Sequence, residues 1–203
     1  MATRNPVKNR LPLILVSAIF ILPVVIAWIW FFSGAASGNK TVNNGTLITP
    51  PLQLSQLKLM QANGSPYAAK QLNGKWILMY LSPTPCEKRC QTTLYNMRQI
   101  RRATGKEMMR IQRVILTFQD NPPDQTLTQE LSNHYPDMVQ LMTQKQPFAT
   151  FINPLPSKKA ALTSGYLYLV DPLGNVMMSY DPEAKPKGVL ADLQRLLKVS
   201  QIG

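Results

Sequence analysis

The chain has 203 residues, which leaves room for one compact domain and a short additional segment and excludes two full domains. Hydrophobic residues make up 45%, an ordinary share for a globular chain, but they are unevenly spread. Against 10 Asp and Glu stand 22 Lys and Arg, a net charge of +12 that is scattered except at Arg98, Arg101 and Arg102. With no aromatic-basic binding motif, nucleic acid is excluded as the expected partner.

The first element is apolar. Leu11 to Phe32 carries no charge and is dominated by Leu, Ile, Val, Ala, Phe and Trp, a run long enough to cross a hydrocarbon core of roughly 30 Å as a helix. Pro12 and Pro23 are tolerable in a membrane helix, and Trp28 and Trp30 stand where an aromatic belt lies. Arg4, Lys8 and Arg10 precede the run and Ser33 to Asn39 carries no charge. The positive-inside rule therefore puts residues 1–10 in the cytoplasm, a single span at 11–32 in the inner (plasma) membrane, and the rest outside the cytoplasm. The alternative is a signal peptide cut near Gly34-Ala35-Ala36-Ser37, although signal cores of about 7–15 residues are shorter than this run. The basic charge then reads as a solvated surface beside anionic head groups.

Residues 33–51 are small, polar and turn-forming and read as a linker, with the domain at 52–203. Leu52 to Leu59 is partly alternating and breaks at Asn63-Gly64-Ser65, and Asn73-Gly74 makes a second turn. Trp76 to Leu81 is a continuous apolar run, the pattern of a strand covered on both faces. Thr92 to Ala103 has helical spacing through Leu94, Met97 and Ile100, and Arg113 to Phe118 repeats the buried-strand pattern. A helix is expected at 126–134, a short extended piece at 139–142 and irregular chain at 143–160. Tyr166 to Val170 and Val176 to Tyr180 flank the turn Asp171 to Asn175, and Gly188 to Lys198 closes as an amphipathic helix with Leu190, Leu193, Leu196 and Leu197 on one face. Strands alternating with helices make an α/β layered domain.

The two cysteines fall together in Thr84-Pro85-Cys86-Glu87-Lys88-Arg89-Cys90, after a buried strand and before a helix. This spacing puts both sulfurs on one face of the first helical turns. A helix N-terminus, with Lys88 and Arg89 nearby, favours thiolate at Cys86. Such a pair serves thiol–disulfide exchange or capture of Cu(I). The alternative is a structural bridge, which would restrain little of the unfolded chain because its loop is so short. The sequence has no glycine-rich phosphate loop, no His-Glu-x-x-His and no nucleophile elbow, and its carboxylates sit mostly in turns.

Three blocks in order, Leu57 to Gly64, Leu72 to Tyr80 and Cys86-x-x-x-Cys90, resemble the Sco/SenC branch of the thioredoxin superfamily. Leu116-Thr117-Phe118 with Asp120 and its prolines, and Tyr168 to Gly174, are similar to later blocks of that family. The resemblance covers residues 52–198. It implies a thioredoxin-like domain, a central mixed sheet flanked by helices, anchored in the membrane outside the cytoplasm. It also implies work in cytochrome c oxidase assembly, delivering copper or managing thiols, with a respiratory oxidase subunit or its copper-loading factors as partner. Cys86 and Cys90 are then both the catalytic candidates and the Cu(I) ligands.

Two positions depart from the family pattern. Its copper site adds a histidine before the late strand, a position that falls near Thr163 in Leu162-Thr163-Ser164-Gly165, and its proline after the first cysteine is replaced by Glu87, with Pro85 ahead of the pair. The single histidine, His134, ends a helix in Asn133-His134-Tyr135-Pro136 and reads as a helix-terminal residue. Without histidine the pair can hold Cu(I) linearly or with Met, although most of the ten methionines read as core. Three roles stay open: copper chaperone, oxidoreductase with Cys86 attacking and Cys90 resolving, and binding scaffold with an inert disulfide.

Overall fold

The computed structural model describes residues 11–33, 42–123, 125–152, 165–200 and 202. The expectations for residues 1–10, for most of the linker with its cleavage motif, for 153–160 and for Thr163 fall outside these residues. The chain divides into two compact units at residue 42.

The first unit contains helix α1, Leu11–Phe32. At 1.5 Å per residue its 22 residues reach about 33 Å, so the helix is long and apolar enough to cross a membrane. Pro12 falls in the first turn, where no amide partner is lost, and the helix runs on through Pro23. From Leu15 to Phe32 its large apolar side chains are exposed, and Trp28 and Phe32 pack with ring centroids 4.6 Å apart.

The second unit is built on an eight-stranded mixed sheet. In chain order its strands are β1 (Thr46–Gln53), β2 (Leu59–Gln61), β3 (Pro66–Tyr67), β4 (Trp76–Leu81), β5 (Ile111–Phe118), β6 (Val139–Thr143), β7 (Leu167–Val170) and β8 (Asn175–Tyr180). Their order across the sheet is β1-β8-β7-β4-β5-β6-β2-β3. Strands β4, β5 and β6 are parallel and the other pairings antiparallel. Helices are α2 (Lys88–Ala103), α3 (Gln125–His134), α4 (Lys145–Phe151) and α5 (Pro186–Val199).

Every residue of β4 is buried, as the unbroken apolar run requires. The strand's period of two splits its side chains. Trp76, Leu78 and Tyr80 join the core with α2, α3 and α5, whereas Ile77, Met79 and Leu81 join the core on the other face with α4 and Leu52, Leu54 and Leu57. The expected central mixed sheet flanked by helices is present.

Four expectations change. Residues 46–51, assigned to the linker, belong to β1, an edge strand paired with β8 whose Ile48 is buried. Thr49-Pro50-Pro51 hides the strand because prolines cannot serve a central ladder; here they occupy a register shift on a sheet edge. Residues 145–151, assigned to irregular chain, form α4, with Pro147 in its first turn and Phe148 buried against Phe118 and Tyr168. Helix α2 begins at Lys88, four residues before the periodic stretch.

In α5 the buried face is Val189, Asp192, Leu193 and Leu197, with Leu190 and Leu196 only partly covered. Asp192, 3% exposed, is the departure from the apolar pattern. Its carboxylate accepts the backbone N–H of Asn44 and Gly45 at 2.8 and 3.0 Å and the Tyr180 hydroxyl at 3.1 Å. A buried carboxylate is stable only when so partnered.

Candidate functional site: a disulfide at the end of the central strand

The site begins where β4 ends. The Ser82 amide donates to Leu116 O at 2.9 Å, prolonging the pairing with β5, while the Leu81 amide donates to Tyr166 O at 2.9 Å on the β7 side. The chain thus leaves the sheet between two neighbours, at the carboxyl end of the parallel strands. Pro83 and Pro85 supply no amide donors, and the chain bends at Thr84-Pro85, whose peptide bond is cis. Thr84 is clamped to the turn after β5: its hydroxyl donates to Asn121 O at 3.2 Å and its carbonyl accepts Asn121 Nδ2 at 3.1 Å.

Helix α2 starts only after this segment. Glu87 is its N-cap residue, in extended conformation, so Cys86 stands just ahead of the helix and Cys90 inside its first turn. This corrects the expectation that both cysteines lie on helical turns. The two form a disulfide with Cα atoms 5.2 Å apart.

The two cysteines are both buried, to different depths. Cys86 is 9% exposed and Cys90 1%. Cys86 lies against Gln91 and the start of α3 at Thr126, Leu127 and Glu130, and its carbonyl faces Gln91 Nε2 at 3.5 Å. Cys90 Sγ is 3.3 Å from Ser82 Oγ, a hydroxyl that also donates to Pro83 O at 3.0 Å. Sequence reasoning missed Ser82, which reads only as the end of a strand.

Arg89 pairs with Glu183 in the turn before α5, and both side chains are mostly exposed, so the pair contributes little stability. Beneath α2, burial pushes the Tyr80 phenol up, opposed by its Thr93 hydrogen bond and the Arg89 charge. A cleft of about 240 Å³ runs between α2 and the β8–α5 turn, with Thr93, Asn96, Gly165 and Pro182 on its walls.

His134 is not brought to the pair. It is exposed at the far end of α3, and its carbonyl accepts Arg98 Nη1 at 3.4 Å. Arg98 lies about 12 Å along α2 from Cys90, and Thr126, beside Cys86, is equally far from His134 along α3. Met79, Met97, Met138 and Met178 are buried core residues. Among the described residues no three or more His, Cys, Asp or Glu gather into a metal-binding group.

Comparison with curated proteins finds no match. Among solved structures the chain is similar to apo Sco1 from Thermus thermophilus, at 18% identity and a TM-score of 0.57, over 78% of this chain and 99% of that one. It is similar to yeast Sco1 with copper bound, at 18% identity and a TM-score of 0.54, over 77% and 93%. The third is BsSco, a member of the Sco family of cytochrome c oxidase assembly proteins in which a disulfide switch was identified, at 15% identity and a TM-score of 0.54, over 79% and 100%. At these identities the likeness establishes a shared thioredoxin-like fold. The family described as "transmembrane-like, thioredoxin-like, C-terminal domain" matches residues 76–200, from β4 through the cysteine pair to the end of α5. The chain belongs to this transmembrane-like, thioredoxin-like family.

Proposed function

We propose that this chain is a Sco-like accessory protein for cytochrome c oxidase assembly, working on partner cysteines through Cys86 and Cys90. Its span at 11–32 anchors it in the inner membrane, with residues 1–10 cytoplasmic and the domain outside. The observation that carries the reading is the disulfide's position: it crosses a strand-to-helix turn with Cys86 9% exposed and Cys90 1%. That asymmetry suits exchange, in which Cys86 meets the partner sulfur and Cys90 resolves. In cells lacking the native protein, the chain is expected to restore oxidase assembly and Cys86→Ser/Cys90→Ser to fail. A double variant that restores assembly fully would leave the disulfide inert and sink the reading.

A second reading takes Cu(I) as cargo. The reduced pair offers two thiolates on Cα atoms 5.2 Å apart, enough for two-coordinate Cu(I), and yeast Sco1, of like fold, was solved with copper bound. A Cu(I) competition titration on the reduced chain separates the two. Tight binding lost in Cys86→Ser makes the pair a copper carrier, and absence of cysteine-dependent binding leaves thiol exchange.

A further inference from the structure

Ser82 is 3% exposed and its backbone is held by the hydrogen bond its amide donates to Leu116 O, so its hydroxyl can move only by rotation about its side chain. Two acceptors lie within that rotation, Pro83 O at 3.0 Å and Cys90 Sγ at 3.3 Å. A disulfide sulfur is a weak acceptor, so in the oxidised protein the proton belongs to the Pro83 carbonyl. A thiolate sulfur is a strong one.

Resting on the thiol-exchange reading above, we propose that Ser82 is a catalytic hydrogen-bond donor to the Cys90 sulfur as it leaves. A partner thiolate attacks Cys86 Sγ, on the less buried of the two cysteines. The partner–Cys86 S–S bond forms, the Cys86–Cys90 bond breaks, and the electron pair goes to Cys90 Sγ. At 1% exposure Cys90 has almost no water to solvate this charge. The Ser82 hydroxyl turns from Pro83 O and donates to it, exchanging a neutral hydrogen bond for a charge-assisted one. A second partner thiolate then attacks its own sulfur in the mixed disulfide and frees Cys86 as thiolate, leaving the partner oxidised and the pair reduced. In the opposite direction the same hydroxyl holds Cys90 thiolate for attack on a mixed disulfide at Cys86. Ser82 thereby sets both the speed of exchange and the poise of the pair.

The test uses the full chain in detergent micelles, equilibrated at pH 7 with dithiothreitol of graded redox state and quenched by thiol alkylation, with the reduction rate followed separately. Relative to wild type, Ser82→Ala is expected to lower the equilibrium constant for reduction about tenfold, a potential about 29.6 mV more negative, and to slow reduction by a similar factor. Ser82→Thr keeps the hydroxyl and is expected within about twofold of wild type, while Ser82→Val, of like shape without the hydroxyl, is expected to follow the alanine variant. The threonine–valine pair keeps the test valid should alanine disturb folding. A wild-type disulfide that is reduced normally, beside alanine and valine variants within about twofold of it in both measurements, overturns the role of Ser82 alone. A wild-type disulfide that thiols do not reduce in the folded protein overturns the exchange reading, and the inference with it.

Discussion

The Asp192 carboxylate on α5 binds Asn44 twice, through its backbone N–H at 2.8 Å and its side-chain amide at 2.9 Å. One buried acidic side chain thus fixes the start of the domain, since Gly45 N and the Tyr180 hydroxyl donate to the same group. The junction is tight: a Cβ on Gly188 would come within 2.9 Å of Asn44 Cβ, and one on Gly45 within 2.6 Å of the Tyr180 ring. Asp192→Ala strands these donors and is expected to destabilise the domain by about 3 kcal/mol in urea unfolding. Asp192→Asn, which keeps an acceptor oxygen, is expected to cost less. A loss below about 0.5 kcal/mol in the alanine variant would refute the anchoring role.

Reducing the disulfide is expected to leave the domain folded. The loop between Cys86 and Cys90 is so short that its closure accounts for at most about 2 kcal/mol of unfolded-state restriction. Urea melts with and without a phosphine reductant should differ by no more than this amount. Global unfolding on reduction would mark the bridge as structural.

Arg113 is 2% exposed, yet Asp137, its ion-pair partner, is half-exposed. Its guanidinium stacks 5.5 Å from the Tyr135 ring centre, while Nε and Nη1 find no hydrogen-bond partner among the described residues. Burial lowers its pKa and the Asp137 charge opposes the shift. A charge so incompletely paired contributes less than a well-packed apolar side chain. Arg113→Met is expected to hold stability within about 1 kcal/mol of wild type, whereas Arg113→Ala, which leaves a cavity, should lose about 3 kcal/mol. Thermal denaturation of both variants checks this.

Burial pushes the phenols of Tyr168 and Tyr180 well above the ordinary range, and the Asp192 charge adds to the shift at Tyr180. A raised acid favours its neutral form in the fold, so its contribution is complete below the unfolded value of about 10 and is lost as pH rises beyond it. Stability should therefore fall above about pH 10, with part of the tyrosinate absorbance appearing only on unfolding. Complete, reversible titration of all tyrosines near pH 10 in the folded protein would contradict the burial.

Patterns of one element were legible in the amino-acid order. The uncharged run 11–32, the unbroken apolar β4 and the Leu94, Met97, Ile100 spacing each declare an element through neighbours a few residues apart. The placement of Cys86 and Cys90 between β4 and α2 belongs to the same class, since it needs only the local alternation of strand, prolines and helix. Short elements were not legible. β1 is masked by its prolines, and α4 has only seven residues, too few for a period to emerge.

By itself, then, the sequence determined the apolar helix, the α/β class and the position of the cysteine pair, because side-chain periodicity is a short-range property. Tertiary structure alone decided that Cys90 is more deeply buried than Cys86, that Ser82 reaches the Cys90 sulfur, that His134 is kept away from the cysteine pair, and that Asp192 turns inward to hold Asn44. Each of these depends on which segments pack together. Asn44 and Asp192 are 148 residues apart in the chain, a separation over which no local pattern carries information and only the closing of the core brings the two groups into contact.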